Sequence, residues 1–257
     1  MAKLDALLLP SAVAPSPATP FQSLVDPKIR LAQTVTAINY WVRRAEKLEF
    51  KIMVVDNTNF ANEIKAGLSK KVVNSPYLEI HNVPTLLPRD IARGKGAGET
   101  SALIAGLTLL NLPNHAIVAK VNARYITTNG LYLIDELDGN FDFAAWPRPR
   151  LDSVDTTFFA GRVGFLSDAF SFVYEKTDDL KEDFVENLYA DFSIRNKNCK
   201  YIRFNYSPAI KGQSGTTGSK ASPLNEFRIV SLVVRARKQL RNTMSIIKPS
   251  YQRGLTK

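Results

Sequence analysis

The sequence predicts an α/β fold built on one mixed, mainly parallel sheet flanked by helices. Three observations predict it. Short continuous apolar runs, of the kind found in strands buried on both faces, recur along the chain. Amphipathic or apolar helical stretches stand between them, and alternation of strand and helix points to a parallel sheet. In the second half two strand patterns follow each other closely, which makes the sheet mixed.

Taken in order, Ala6 to Leu9 is an apolar run ended by Pro10 and reads as a buried strand. Ser11 to Pro20 is rich in Pro, Ala and Ser and reads as a loop. Asp26-Pro27 is an N-cap followed by Pro at the first helical position. The helix then runs from Pro27 to about Lys47, with Ile29, Val35, Ile38 and Trp41 or Val42 on its apolar face. Phe50 to Val55 is a strand that ends in the turn-forming cluster Asp56-Asn57-Thr58-Asn59. Phe60 to Leu68 reads as a helix and Tyr77 to His81 as a strand.

The glycine-rich segment Arg93 to Glu99 leads into an apolar helix, Thr100 to Leu110. Ala116 to Val121 is the next strand and runs into Asn122-Ala123-Arg124-Tyr125. A short helix is expected over Leu131 to Leu137. Strands follow over Phe141 to Trp146 and Val154 to Ala160, separated by an irregular Pro147-Arg-Pro-Arg150. Phe165 to Tyr174 and Asp183 to Ile194 read as helices. Lys211 to Ser222 is a Gly/Ser/Thr loop, and Leu224 to about Ser245 a basic helix.

The chain has 257 residues, is 45% apolar, and carries a formal charge of +10. This is enough to bury a sizeable core and too apolar for a disordered chain. No internal repeat occurs, and no linker is long enough for an independent second domain. The division expected is a body over 1–223 and a basic tail over 224–257. Eight Lys or Arg against the single acid Glu226 give this tail most of the net charge. A near-neutral body with a basic appendage suggests docking on an anionic surface, a membrane or a polyanion; a solvated helix face is the plain alternative. No apolar stretch is long and clean enough to span a bilayer. The N-terminus, with Asp5 and Pro10 in its apolar region, does not read as a signal peptide.

One cysteine, Cys199, excludes an internal disulfide and any multi-cysteine metal site. Two histidines, His81 and His115, exclude a His-rich zinc site without carboxylate help. Chemistry in this chain therefore falls to carboxylates, Lys, Arg and backbone amides.

Ligands of open α/β sheets bind beyond the carboxyl ends of the strands. Asp26 and Arg30 follow the first strand's loop, Asp56 and Asn57 the second strand, Lys120, Arg124 and Tyr125 the next, and Asp155 to Thr157 the last pair. Gly94-Lys95-Gly96-Ala97-Gly98-Glu99 offers backbone N–H groups at a helix start; it is an anion cradle or a turn capped by Glu99. Lys120 and Arg124 are costly to desolvate and would suit a diphosphate, or else form a structural pair with Asp142 or Glu99. Asp155, in an apolar strand, is a candidate base or caps the following turn. Glu186, among apolar neighbours on a helix, faces the cleft or bonds an amide. Lys211 to Gly218, with Ser214 between, is a lid over phosphates or a plain connector.

The ordered series Asp26-Pro-Lys-Ile-Arg30, Asp56-Asn57-Thr58, Lys95-Gly-Ala-Gly-Glu99, Lys120-Val-Asn-Ala-Arg124-Tyr125, Asp155-Thr-Thr-Phe-Phe159 and Glu186 resembles a group of bacterial glycosyltransferase-like proteins from polysaccharide and lipopolysaccharide clusters. Ala123 departs from the group's pattern, which has Gly there. The resemblance implies a single GT-A-like, Rossmann-like domain that transfers a sugar from an activated diphosphate donor to a glycan or lipid-linked acceptor. It implies Asp155, with Glu186 second, as the base. It places Asp56, Asn57, Lys95, Gly96, Glu99, Lys120, Arg124, Tyr125, Lys211 and Ser214 at the donor. No cofactor and no metal are expected, because Lys120 and Arg124 take the place where such enzymes hold a cation on the diphosphate. Asp135-Glu-Leu-Asp138 has metal-binding letters but reads as a solvated face. The implied setting is the cytoplasm, with peripheral contact to the anionic inner membrane. Inversion at the sugar carbon follows if displacement is direct. Three other readings remain open: a nucleic-acid binder or modifier using the basic tail, a non-catalytic interaction module in a polysaccharide assembly complex, and a transferase with a non-nucleotide sugar-diphosphate donor. Partners expected are thus sugar donor and acceptor, not nucleic acid.

Overall fold

A computed structural model describes residues 2–84, 87–148, 152–213 and 220–221. Strand β1 (Ala6–Ser11) is followed by helix α1 (Pro27–Leu48), β2 (Lys51–Asp56), α2 (Ala61–Gly67), α3 (Lys70–Val73) and β3 (Leu78–Asn82). Then come α4 (Pro88–Arg93), α5 (Lys95–Leu110), β4 (Ile117–Val121), β5 (Ile126–Thr127) and α6 (Gly130–Asp135). The second half holds β6 (Phe143–Pro147), β7 (Val154–Arg162), α7 (Val163–Lys176), a 3-10 turn (Asp179–Lys181) and α8 (Val185–Arg195). Three short strands close it: β8 (Tyr201–Arg203), β9 (Ile210–Gln213) and β10 (Lys220–Ala221).

Among the described residues, seven strands form the main sheet in the order β3-β2-β1-β4-β7-β6-β8. The pairs β3–β2, β2–β1, β1–β4 and β6–β8 are parallel, while β7 runs antiparallel to both β4 and β6. The expected class holds: α/β, one mixed, mainly parallel sheet flanked by helices. A small second sheet, β10-β9-β5, sits at the side.

Strand alternation divides the core into two layers. Leu7, Leu9, Ile52, Val54, Ala119 and Val121 face α1, whose Ile38, Trp41 and Val42 are buried against them. Leu8, Met53, Val55 and Val118 face α5 and α7, through Leu103, Leu107, Leu166 and Phe170. Gly106 on α5 permits this second contact, since a Cβ there would stand 2.5 Å from Leu8 Cδ1.

Several expectations shift. Pro10 does not end β1: it pairs opposite Val55 inside the strand. The β1–β4 ladder covers only Ala6 to Leu8, so the missing N–H of Pro10 falls beyond it, and its carbonyl accepts from Ala123 N at 3.0 Å. Asp26 caps α1 as expected, accepting from Lys28 N and Ile29 N. Ile29, expected on the apolar face, is exposed, and Arg30 is buried in its stead. The glycine-rich segment is not a loop: Lys95 to Glu99 form the first turn of α5. The Lys211–Ser222 loop overlaps strands β9 and β10. The basic tail over 224–257 lies outside the described residues. Among the described residues no helix is long and apolar enough to cross a membrane.

Candidate functional site

The order of the strands reverses at β1: β2 and β3 lie to one side of it, β4 to the other. A crevice must open at such a point, beyond the strands' carboxyl ends. A cavity of about 570 Å³ stands there, lined by Ser11 after β1, Asn57 after β2, Asn122 and Arg124 after β4, and Thr156 and Thr157 on β7. Lys95, Gly96 and Glu99 from α5, with Arg148 and Glu186, complete one wall.

Two guanidinium groups dominate its electrostatics. Arg30 is 4% exposed and is fixed by Nε to Ala12 O at 2.6 Å and NH1 to Leu24 O at 2.8 Å. Arg124 is half-buried, donates from NH1 to Gln213 O at 3.0 Å, and lies over the Tyr125 ring. Among the described residues neither forms an ion pair. Burial, then repulsion from Arg124, pulls the Arg30 pKa down to about 9, partly opposed by Asp56. Burial likewise lowers that of Arg124. Cations held in this way favour an anionic ligand between them.

Lys120 does not join them. Alternation on β4 turns it to the α5 side of the sheet, where it is 1% exposed. Its ammonium donates to Glu99 Oε1, to Asn122 Oδ1 and to Thr156 O, so all three protons are used. Asn122 Nδ2 donates in turn to Glu99 Oε2 at 3.0 Å. Burial raises the pKa of Glu99, but Lys120 and Asn122 outweigh it and hold the carboxyl below its ordinary value. The expected diphosphate pair of Lys120 and Arg124 is therefore corrected. Lys120 is the counter-ion of Glu99, and the buried cation that lines the cavity with Arg124 is Arg30.

Asp56 is corrected too. It is fully buried, its Oδ1 accepting from Thr58 N, Thr58 Oγ1 and Phe60 N and its Oδ2 from Val13 N at 3.2 Å. It ties the loop after β1 to the turn after β2 and does not line the cavity. Asn57 does: its Nδ2 donates to Gly98 O at 2.9 Å, while its buried Oδ1 has no partner among the described residues, and the same is true of Ser11 Oγ. Tyr125 lines the cavity as expected.

The anion cradle read into the glycines is occupied by the protein itself. Gly96 N donates to Asp179 Oδ2 at 3.4 Å, and burial raises the pKa of that carboxyl. Gly94 turns the chain at φ 106°, where a Cβ would lie 2.3 Å from Asp179 Oδ2.

The carboxylates expected as base part company. Asp155 lies off the cavity and accepts from Thr157 N at 2.8 Å and from the Thr157 hydroxyl, which makes it the cap of a turn. Here β7 bulges: Asp155 pairs with Trp146 but Phe159 with the adjacent Ala145. The bulge lets Thr156 and Thr157 both reach the cavity wall. Glu186, in the first turn of α8, lines the cavity, accepts from Thr156 Oγ1 at 3.4 Å, and stands 3.9 Å from Arg148 NH2. Lys211 is exposed on β9 opposite Ile126 and off the wall; Ser214 lies outside the described residues.

Ala123 is 1% exposed and is not among the positive-φ residues, so the departure from Gly costs nothing in backbone geometry. Asp135, Glu136 and Asp138 are exposed and stand apart from the cavity. Among the described residues no group of three or more His, Cys, Asp or Glu could hold a metal ion. Arg148 and Asn122 line the site without having been singled out as ligand residues. The sequence places Arg30 after the first strand's loop and in the series Asp26-Pro-Lys-Ile-Arg30, and the structure brings it to the cavity.

No family model matches the chain, and no curated protein matches it. Among solved structures, the galactosyltransferase LgtC in complex with donor and acceptor sugar analogs is similar with a TM-score of 0.46 and 11% identity, over 77% of this chain and 72% of that one. An active-site mutant of LgtC gives 0.46 and 12% over the same shares. A protein of Desulfovibrio desulfuricans G20 described as a nucleotide-diphospho-sugar transferase gives 0.47 and 12%, over 79% of this chain and 80% of that one.

Proposed function

We propose that the chain is a glycosyltransferase of GT-A type that moves a sugar from an activated diphosphate donor to a glycan or lipid-linked glycan acceptor, in bacterial surface polysaccharide synthesis. The observation that carries the proposal is the pair Arg30 and Arg124, buried or half-buried at the sheet's reversal point and without ion-pair partners among the described residues. A diphosphate is the ligand that relieves their repulsion, and guanidinium forks match phosphate oxygens. Lys95 lies on the same wall. Ser11 Oγ and Asn57 Oδ1 offer unsatisfied polar atoms to the donor's other end.

In the proposed step, the Glu186 carboxylate takes the proton of the acceptor hydroxyl. The hydroxyl oxygen then bonds to the donor's anomeric carbon on the face opposite the diphosphate. The carbon–oxygen bond to the diphosphate breaks, and the leaving group keeps the electron pair. Arg30, Arg124 and Lys95 stabilise that charge, which is the part a metal ion plays elsewhere. Configuration inverts and no divalent cation is required. Asp155 serves this scheme by orienting Thr157 and not as the base.

The test is a thermal-shift panel of nucleotide sugars and non-nucleotide sugar diphosphates, each with EDTA and with Mn²⁺. Ligands that bind only the folded state raise its melting temperature by mass action. A shift by at least one donor in EDTA is expected; binding confined to the Mn²⁺ arm would remove the metal-independent scheme. Glu186→Gln is expected to keep the donor shift and to lose roughly 10²-fold or more in turnover.

A further inference from the structure

We propose that a second cavity, of about 280 Å³, is a saccharide subsite for the acceptor, with Phe21 and Phe184 as its ring-stacking walls. This rests on the transferase reading of the first cavity. The two cavities share Lys95, Arg148 and Glu186, so a ligand in each would meet across the Glu186 carboxylate. The first holds the paired arginines and suits a phosphorylated group. The second does not include Arg30 or Arg124, and it adds two aromatic rings, the Asn187 amide and the Asp179 carboxyl.

The aromatic walls have no evident structural purpose. Phe21 is 56% exposed and sits at φ 56°. A bulky residue in the left-handed region is strained, and the side chain stays more than half exposed. Such an outlier is retained where the side chain has work outside the core. Phe184 is half-buried at the N-cap of α8, two residues before Glu186, so the start of that helix fixes ring and carboxylate in one frame.

The combination fits a sugar. The C–H faces of a pyranose are weakly positive and pack on the negative faces of aromatic rings. Its edge carries hydroxyls, for which Asn187 offers both a donor and an acceptor and Glu186 an acceptor. A cavity of this size lies at the lower end of ligand sites, suited to the terminal unit of a glycan.

The probes are methyl hexosides for the second cavity and inorganic pyrophosphate for the first, with the full chain, Phe21→Ala and Phe184→Leu. Saturation-transfer NMR is expected to show at least one methyl hexoside bound to the wild type. Each substitution is expected to weaken it about tenfold or more, with pyrophosphate affinity by calorimetry unchanged within about twofold. Phe21 is exposed, so its variant decides the matter even if Phe184→Leu folds poorly. A wild type that binds no hexoside, or a Phe21→Ala chain that binds one as well as the wild type, overturns the subsite. If hexoside binding behaves as expected but neither pyrophosphate nor any sugar diphosphate binds, the subsite stands and the transferase reading falls.

Discussion

Arg30 and Arg124 repel each other in the folded chain, and folding alone does not compensate that cost. Removing one charge should therefore harm binding more than stability. Arg124→Gln loses the hydrogen bond to Gln213 O, worth about 1.5–3 kcal/mol, and the contact over the Tyr125 ring, and gains back part of this as relieved repulsion. Its denaturation midpoint without ligand should stay close to the wild type, while the melting shift given by pyrophosphate disappears. A strongly destabilised variant, or one that still responds to pyrophosphate, would refute this assignment. Lys120 should behave in the opposite way. Lys120→Met leaves Glu99 without its counter-ion in a largely enclosed place and should cost about 3–5 kcal/mol. The double variant Lys120→Met, Glu99→Leu should recover much of that loss, because the pair acts as a unit. Urea titration of the single and double variants checks both statements.

At the scale of elements, α5 begins where a glycine is required. Gly94→Ala would force a Cβ onto the Asp179 carboxylate at a φ that L residues avoid, and should destabilise by roughly 2–4 kcal/mol in thermal or chemical denaturation. The alternation of strand and helix was legible because β1, β2 and β4 are continuous apolar runs, and the first helix because Asp26-Pro27 is an explicit start signal. The first turn of α5 was not legible: three glycines read as a loop, and the tertiary contact of Asp179 with Gly96 N overrides that propensity. The short α3, α4, β5 and β8 carry too few residues for any periodicity to show. The site divides along the same line. Positions after strands were readable, and Asn57, Arg124 and Tyr125 do line the cavity. Which way a strand residue points was not readable, so the sequence left two readings for Lys120 and two for Asp155; the structure shows the pair with Glu99 and the turn cap.

Across the molecule, two effects of charge can be measured. The Glu99 pKa is lower in the folded than in the unfolded chain, where it lies near 4.3. The stability this provides is present above that value and is lost as pH falls through the folded pKa. Acid should thus weaken the wild type more steeply than Glu99→Gln when denaturation midpoints are followed below about pH 5. The basic segment 224–257 is proposed to bind an anionic membrane at about 1 kcal/mol per basic residue near the surface. Replacing Arg235, Arg237, Lys238 and Arg241 by Gln in the full chain should reduce sedimentation with phosphatidylglycerol vesicles at low salt, and should change nothing with phosphatidylcholine vesicles.

The strand β9 has one more implication. Its Gln213 carbonyl receives Arg124, and its side-chain oxygen accepts from Gln33 on α1 at 3.1 Å. These partners lie 89 and 180 positions earlier in the chain, respectively. During synthesis the sheet's first strands can therefore assemble while Arg124 still lacks its seat. The Arg124 end of the crevice gains its final shape only after residue 213 has left the ribosome.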